Sequence, residues 1–143
     1  MRHWVPFSMH SPLLLRTVLV TAASFLKERN SIPDALVLTL RNDLLEHLRQ
    51  HIESPELQTT DVTILTITQT IIDSWYWAGS EGIDAHVEGL KRIITLRGGL
   101  QNLGLQGFLS KTILMQVFLF STSVVHICSW LETHSLPNKV QLT

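Results

Sequence analysis

The spacing of apolar and polar residues along the chain predicts a series of helices separated by short turns. Ser11 places a hydroxyl before Pro12, a combination typical of a helix N-terminus. The run that follows reaches Asn30 and is apolar on nearly all sides, so this first helix needs partners all round. Pro33 then opens a second helix that extends to about Glu53.

In the second helix, leucine and isoleucine recur at helical spacing, and polar side chains occupy the positions between them. The apolar stripe consists of Leu38, Leu44, Leu45, Leu48 and Ile52. We expect this stripe to face the core, because an amphipathic helix buries its apolar side.

The third element extends from Thr60 to about Trp77 and is rich in β-branched residues, whose propensity alone would favour a strand. Its apolar positions, among them Val62, Leu65 and Ile72, have a spacing closer to that of a helix. The pattern therefore predicts a third helix.

A fourth helix covers about residues 82–97, and Gly98 and Gly99 supply the positive-φ end that a helix C-terminus favours. After a short connection, a fifth helix extends over about residues 108–133. The fold class is therefore all-α, with about five helices in one domain over residues 1–143.

The composition is apolar for a soluble domain. Hydrophobic residues make up 45% and charged residues 16% of the chain, against about 25% charged in an average domain, and the mean hydropathy is +0.20. Disorder is excluded, because it requires low hydrophobicity and high net charge. Extensive burial, missing neighbouring surface or a membrane segment each agree with this composition.

Residues 112–131 carry no formal charge, and their length would allow a membrane span. A bilayer core disfavours the polar side chains in this run, which are Gln116, Ser121, Thr122, Ser123, His126 and Ser129. A buried helix is the favoured interpretation. A small membrane-associated or protein-interaction protein that uses residues 112–131 is the alternative.

The net charge is -1, so no global basic field attracts nucleic acid. Cys128 is the only cysteine, which excludes an intramolecular disulfide and any multi-cysteine zinc site. A reducing compartment, cytoplasm or nucleus, agrees with this cysteine count.

His47 and His51 lie four residues apart on the second helix, a spacing that can present two imidazoles to one metal ion. The zinc-peptidase pattern requires a glutamate directly after the first histidine, where this chain has Leu48. The interpretation from sequence is a pair of solvated surface histidines, and no metal site is predicted.

The aromatic run at residues 75–77 has no basic companion, so it predicts a helix-end cluster that closes the core rather than a base-stacking platform. The glycines after residue 97 follow a helix rather than a strand, which argues against a phosphate cradle. With no catalytic motif and no cofactor fingerprint, the sequence predicts no enzyme, no catalytic residue and no cofactor.

The segment from residue 86 onward combines a histidine, a Gly-Leu pair three residues later and an Arg-Gly-Gly-Leu run. Its residues are His86, Gly89, Leu90, Ile93, Ile94, Arg97, Gly98, Gly99, Leu100, Leu103 and Gly104. This pattern resembles the fungal-specific transcription factor domain, the regulatory middle-homology region of fungal zinc-cluster transcription factors. From these residues themselves we expect structural roles. Gly89 would allow another helix to approach closely, Gly98 would end its helix, and Arg97 would offset the helix dipole or pair with an acid. His86 would be a core or interhelical hydrogen-bonding group, with contact to a regulatory ligand as the alternative.

The resemblance implies a partial helical regulatory domain in the nucleus, with the cytoplasm as the alternative location and a membrane location less favoured. Such a domain acts through protein partners, either transcription machinery or the remainder of a larger factor, in control of RNA polymerase II genes. The zinc cluster that reads DNA in full-length factors needs six cysteines, so the resemblance implies no DNA-binding residue and no direct nucleic-acid contact in this chain.

Overall fold

A computed structural model describes residues 9–78 and 83–120, and within these ranges the chain is all-α, as the pattern predicts. The helices are α1 (Pro12–Glu28), α2 (Asp34–Glu53), α3 (Asp61–Ala78), α4 (Ile83–Arg97) and α5 (Phe108–Phe120). Two short 3-10 turns, Leu100–Asn102 and Leu105–Gly107, join α4 to α5. The predicted continuation of the fifth helix beyond residue 120, and Cys128, lie outside the described residues.

Local capping residues set several helix ends. The Ser11 hydroxyl accepts a hydrogen bond from the Leu14 N–H at 3.4 Å, with Pro12 at the first helical position. At the start of α3, the Thr60 hydroxyl accepts from the Thr63 N–H at 3.3 Å. Each hydroxyl satisfies one of the backbone donors that a helix N-terminus leaves without a partner.

The central helix is α3, which contacts each of the other four. Its threonines are buried, and their hydroxyls donate to backbone carbonyls one turn earlier: Thr66 to Val62 at 2.8 Å, and Thr68 to Ile64 at 2.7 Å. Because each buried hydroxyl is satisfied within the helix, the β-branched segment can pack on several sides as a helix rather than pairing as a strand. The prediction of a helix here is confirmed.

The hydrophobic core lies around α3 and receives side chains from all five helices. Its most deeply buried apolar residues are Val20, Leu44, Ile64, Ile94, Leu109 and Ile113. Full burial of such a side chain stabilises the fold by about 1.5–3 kcal/mol.

The predicted stripe on α2 is only partly correct. Leu44 and Leu48 are buried, but Leu38 is 56% exposed and Leu45 and Ile52 are exposed as well. The reason is that α2 packs mainly against α1 and α3, which lie on one side of it. A helix with neighbours on one side buries a narrow stripe, and apolar residues beside that stripe stay in contact with water.

The expectation that the aromatic run closes the core is wrong. Tyr76 is 59% exposed and Trp75 is 41% exposed at the end of α3. Tyr76 and Trp77 instead cluster with Phe25 near the end of α1, with the Phe25 and Trp77 ring centroids 4.9 Å apart in an edge-to-face arrangement. The cluster joins two helix ends at the surface.

A membrane-spanning helix is not found among the described residues, since none of their helices combines the necessary length and apolarity.

Candidate functional site

The residues of the glycine-rich signature extend from the first turn of α4 to the turn that leads toward α5. Its apolar members belong to the core: Leu90 and Leu100 are each 5% exposed, and Ile94 is 1% exposed. The polar and glycine members shape the turn. We refer to Asp61, Arg97 and Gly104, which meet beneath this turn, as the Asp61 junction.

The Asp61 junction ties three parts of the chain together. Arg97, the last residue of α4, places Nη2 2.9 Å from Asp61 Oδ1, and its Nη1 donates to the Thr59 carbonyl. The Gly104 N–H donates to the same Asp61 oxygen at 3.2 Å. The carboxylate also stands in the first turn of α3, where the helix dipole favours negative charge. The expected acid partner of Arg97 is therefore Asp61.

Glycine is required at position 104 because the backbone there lies close to the Asp61 carboxylate. A Cβ built there would overlap Asp61 Oδ2, so any side chain would displace the carboxylate from its two donors. Contact with Asp61 therefore explains why arginine stands at position 97 and glycine at position 104. It also holds the start of α3 against the end of α4.

Gly98 ends α4 in the left-handed conformation, with φ of 95°. Its N–H donates to the Thr95 carbonyl at 3.0 Å, and the Gly99 N–H donates to the Ile94 carbonyl at 2.9 Å, which is the Schellman arrangement. The prediction that Gly98 ends the helix is confirmed.

Among the described residues, no helix makes the close approach to Gly89 that the sequence predicts. A Cβ at this position would meet no atom of a neighbouring described element within 4 Å. Because α4 packs chiefly on α3, and Gly89 lies away from the contact line formed by Leu90, Ile93 and Ile94, its missing side chain brings no described helix nearer.

His86 lies half-buried in the first turn of α4. Its ring forms no hydrogen bond to any described residue, so neither the interhelical role nor the ligand role predicted for it is tested.

One face of α1 is apolar and exposed. We define the α1 face as Leu15, Val18, Leu19, Ala22, Phe25 and Leu26, all exposed. These positions repeat at intervals of three and four residues and so form one continuous stripe. The opposite side of α1, with Leu13, Leu14 and Val20, is buried. The sequence predicts that this helix needs partners all round, whereas in the described part of the chain one side of it is left exposed.

A groove of about 320 Å³ lies between α1 and α3, along the edge of the α1 face. Val18, Ala22 and Phe25 form part of its apolar lining, and Thr21 and Gln69 are among its polar members. At its Phe25 end the groove meets the aromatic cluster of Tyr76 and Trp77.

Asp73 lies behind this groove and is 6% exposed. Thr21 Oγ1 is 2.8 Å from Asp73 Oδ2 and 3.1 Å from the Thr17 carbonyl oxygen, and Gln69 Nε2 donates to Asp73 Oδ1 at 3.4 Å. Burial raises the pKa of Asp73 above its ordinary value, and the bonds from Thr21 and Gln69, together with the charge of Arg41, offset part of that rise.

The Thr21 hydroxyl has one hydrogen and two neighbouring acceptors, the Asp73 carboxyl and the Thr17 carbonyl, so it can donate to only one of them at a time. The sequence alone did not single out Asp73; its only signal was an acid in the interior of a largely apolar helix.

More than half of the positively charged side chains in the described residues pair with carboxylates of the same chain. Of the nine lysines and arginines in the described residues, five form ion pairs with carboxylates, namely Arg16, Lys27, Arg49, Lys91 and Arg97. The described part of the chain also contains no group of three or more histidines, cysteines or acids that could hold a metal ion.

In a comparison with known protein families, the family model described as "Fungal specific transcription factor domain" matches residues 1–136. No curated protein and no solved structure matches the chain.

Proposed function

Because the chain belongs to the fungal specific transcription factor domain family, we propose that it acts through protein contacts in the control of RNA polymerase II genes, in the nucleus. A role in transcription regulation follows from the family. The route, contact with transcription machinery or with the remainder of a larger factor, is our proposal. So is the absence of a DNA-reading module from this chain.

The α1 face carries this proposal. It is a continuous apolar stripe on an otherwise well-packed helix, with a groove beside it and exposed aromatic rings at one end. Contiguous apolar patches on a soluble surface mark sites of interaction, because leaving them in water is unfavourable. An amphipathic helix of a partner would match such a groove.

The charge distribution supports contact with protein rather than with nucleic acid. Phosphate binding depends on clustered lysine and arginine, whereas most of the described cations here already pair with carboxylates of the chain itself. We therefore expect no sequence-selective binding to DNA at physiological salt, which a mobility-shift assay with competitor DNA would check.

A reporter assay tests the α1 face directly. The chain is fused to an unrelated DNA-binding module, and reporter output is compared for the wild type, Leu19→Glu and Leu38→Glu. The control is matched, because Leu19 and Leu38 are both exposed helix leucines, at 47% and 56%. We expect Leu19→Glu to change the output and Leu38→Glu to leave it near the wild-type level, with both variants folded by circular dichroism.

Equal outputs for Leu19→Glu and the wild type would contradict the role of the α1 face. Recovery of the expressed chain only from detergent-extracted membranes would instead favour the alternative of a membrane-associated protein. A sequence-selective DNA shift by the chain alone would contradict the proposed division between regulation and DNA reading.

A further inference from the structure

The structure sets the imidazole rings of His47 and His51 in an arrangement that the sequence does not reveal. Both residues lie on α2, one helical turn apart and on the same side of the helix. Each ring uses its Nδ1 atom for a contact inside the protein. The protonation of each Nδ1 follows from what that atom faces.

The Nδ1 atom of His47 faces two oxygens of Asp43 that can only accept a hydrogen bond. Nδ1 lies 2.8 Å from the Asp43 carbonyl oxygen and 3.4 Å from Asp43 Oδ1. Because neither oxygen can donate, Nδ1 carries the hydrogen, and Nε2 of the neutral ring keeps its lone pair.

For His51 the partner is the Thr63 hydroxyl, 3.3 Å from Nδ1. That hydroxyl has one hydrogen, and its shortest contact, 2.8 Å, is to the Leu57 carbonyl, which can only accept. The Thr60 hydroxyl, 3.0 Å from the Thr63 oxygen, also donates to Leu57, at 2.9 Å. The Thr63 oxygen therefore accepts from His51 Nδ1–H, and Nε2 of His51 also keeps its lone pair.

We propose that His47 and His51 form a two-histidine chelate for a borderline divalent transition-metal ion of the Cu²⁺, Ni²⁺ or Zn²⁺ class. Imidazole nitrogens are suitable ligands for these ions. In protein metal sites, a ligating histidine typically donates its other ring N–H to a carbonyl or carboxylate, which fixes the tautomer, and Asp43 has this relation to His47. The described residues supply no third ligand, so water or a bound partner completes the coordination.

Cu²⁺ serves as the probe, since it binds nitrogen ligands most tightly in this series and reports them by electron paramagnetic resonance. Every protein tested carries His3→Asn, because a histidine at the third position of a chain can bind Cu²⁺ together with the amino terminus and would compete for the probe. Titration of this full-length chain is expected to show a site with two equatorial nitrogens. His47→Asn and His51→Asn should each remove the two-nitrogen signature and weaken binding by about tenfold or more. His86→Asn, a half-buried histidine on another helix, is the matched control and should bind Cu²⁺ like the wild type.

A second pair of variants tests the orienting contact. Thr63→Val keeps both imidazoles but removes the acceptor for His51, and it should weaken Cu²⁺ binding by about tenfold. Thr63→Ser keeps the hydroxyl and should restore binding. Thermal unfolding shows which variants are folded, and only folded variants are compared. Wild-type affinity in both histidine variants, or an equal loss in His86→Asn, would overturn the proposal.

Discussion

The two signature glycines Gly104 and Gly89 should respond in opposite directions to the same change, replacement by alanine. A Cβ at Gly104 overlaps Asp61 Oδ2, whereas a Cβ at Gly89 meets no neighbouring element within 4 Å in the part of the chain that the structure describes. The first substitution therefore disrupts the Asp61 junction. Gly89→Ala only replaces glycine with a residue of higher helix propensity in the interior of α4.

The magnitudes follow from the contacts at each site. Displacing the carboxylate weakens hydrogen bonds from Gly104 and Arg97, each worth about 1.5–3 kcal/mol when one partner is charged. Because the Arg97 and Asp61 side chains are 27% and 20% exposed, water compensates part of this loss. We expect Gly104→Ala to lower the free energy of unfolding by about 2–3 kcal/mol. Gly89→Ala should raise it by about 0.5–1 kcal/mol.

Urea unfolding of both variants, followed by the helical circular dichroism signal, measures these differences. A double-mutant cycle with Asp61→Ala isolates the contact: without the carboxylate, Gly104→Ala should cost less than about 1 kcal/mol. If Gly104→Ala lies within about 0.5 kcal/mol of the wild type, or costs the same with and without Asp61, the contact does not explain this glycine.

Two further predictions concern the buried acid and the turn before α5. Because the pKa of Asp73 is raised in the folded state, its burial destabilises the fold increasingly as the pH rises above the ordinary value of 3.8 and through the folded pKa. Asp73→Asn should therefore be more stable than the wild type at about pH 7, with the difference shrinking toward about pH 4; a difference independent of pH would contradict this. Gln106 is exposed and has φ of 54°, so Gln106→Gly should stabilise by about 0.5–1 kcal/mol in thermal unfolding, whereas Gln101→Gly, at a nearby exposed position without positive φ, should destabilise. Equal effects of the two glycine substitutions would show that backbone strain at residue 106 is unimportant.

Much of the secondary structure follows from the sequence because its determinants are local. The start of α1 depends on Ser11 and Pro12, and the end of α4 depends on Gly98 and Gly99. These residues act on the backbone within one helical turn, so both helix ends can be predicted without knowledge of the fold. Apolar spacing identified α3 as a helix despite its β-branched composition. The resemblance around residues 86–104 identified the family in the same way, because it depends on residue identity alone.

Tertiary packing decided which sides of those helices are used. Leu38 and Leu44 look equivalent in the sequence, yet only Leu44 faces a neighbouring helix. Likewise, the exposure of the α1 face, the burial of Asp73 and the inward contacts of the two histidine rings depend on which elements pack beside them.

The Asp61 junction shows the physical reason for this division. Arg97 and Gly104 are recognisable in the sequence, but their partner lies 43 residues before Gly104, and nothing local to either residue identifies it. A hydrogen bond depends on distance and direction in space. The sequence by itself therefore determined the helices and the family, and only the tertiary structure decided what the signature residues contact and which surface is left for a partner.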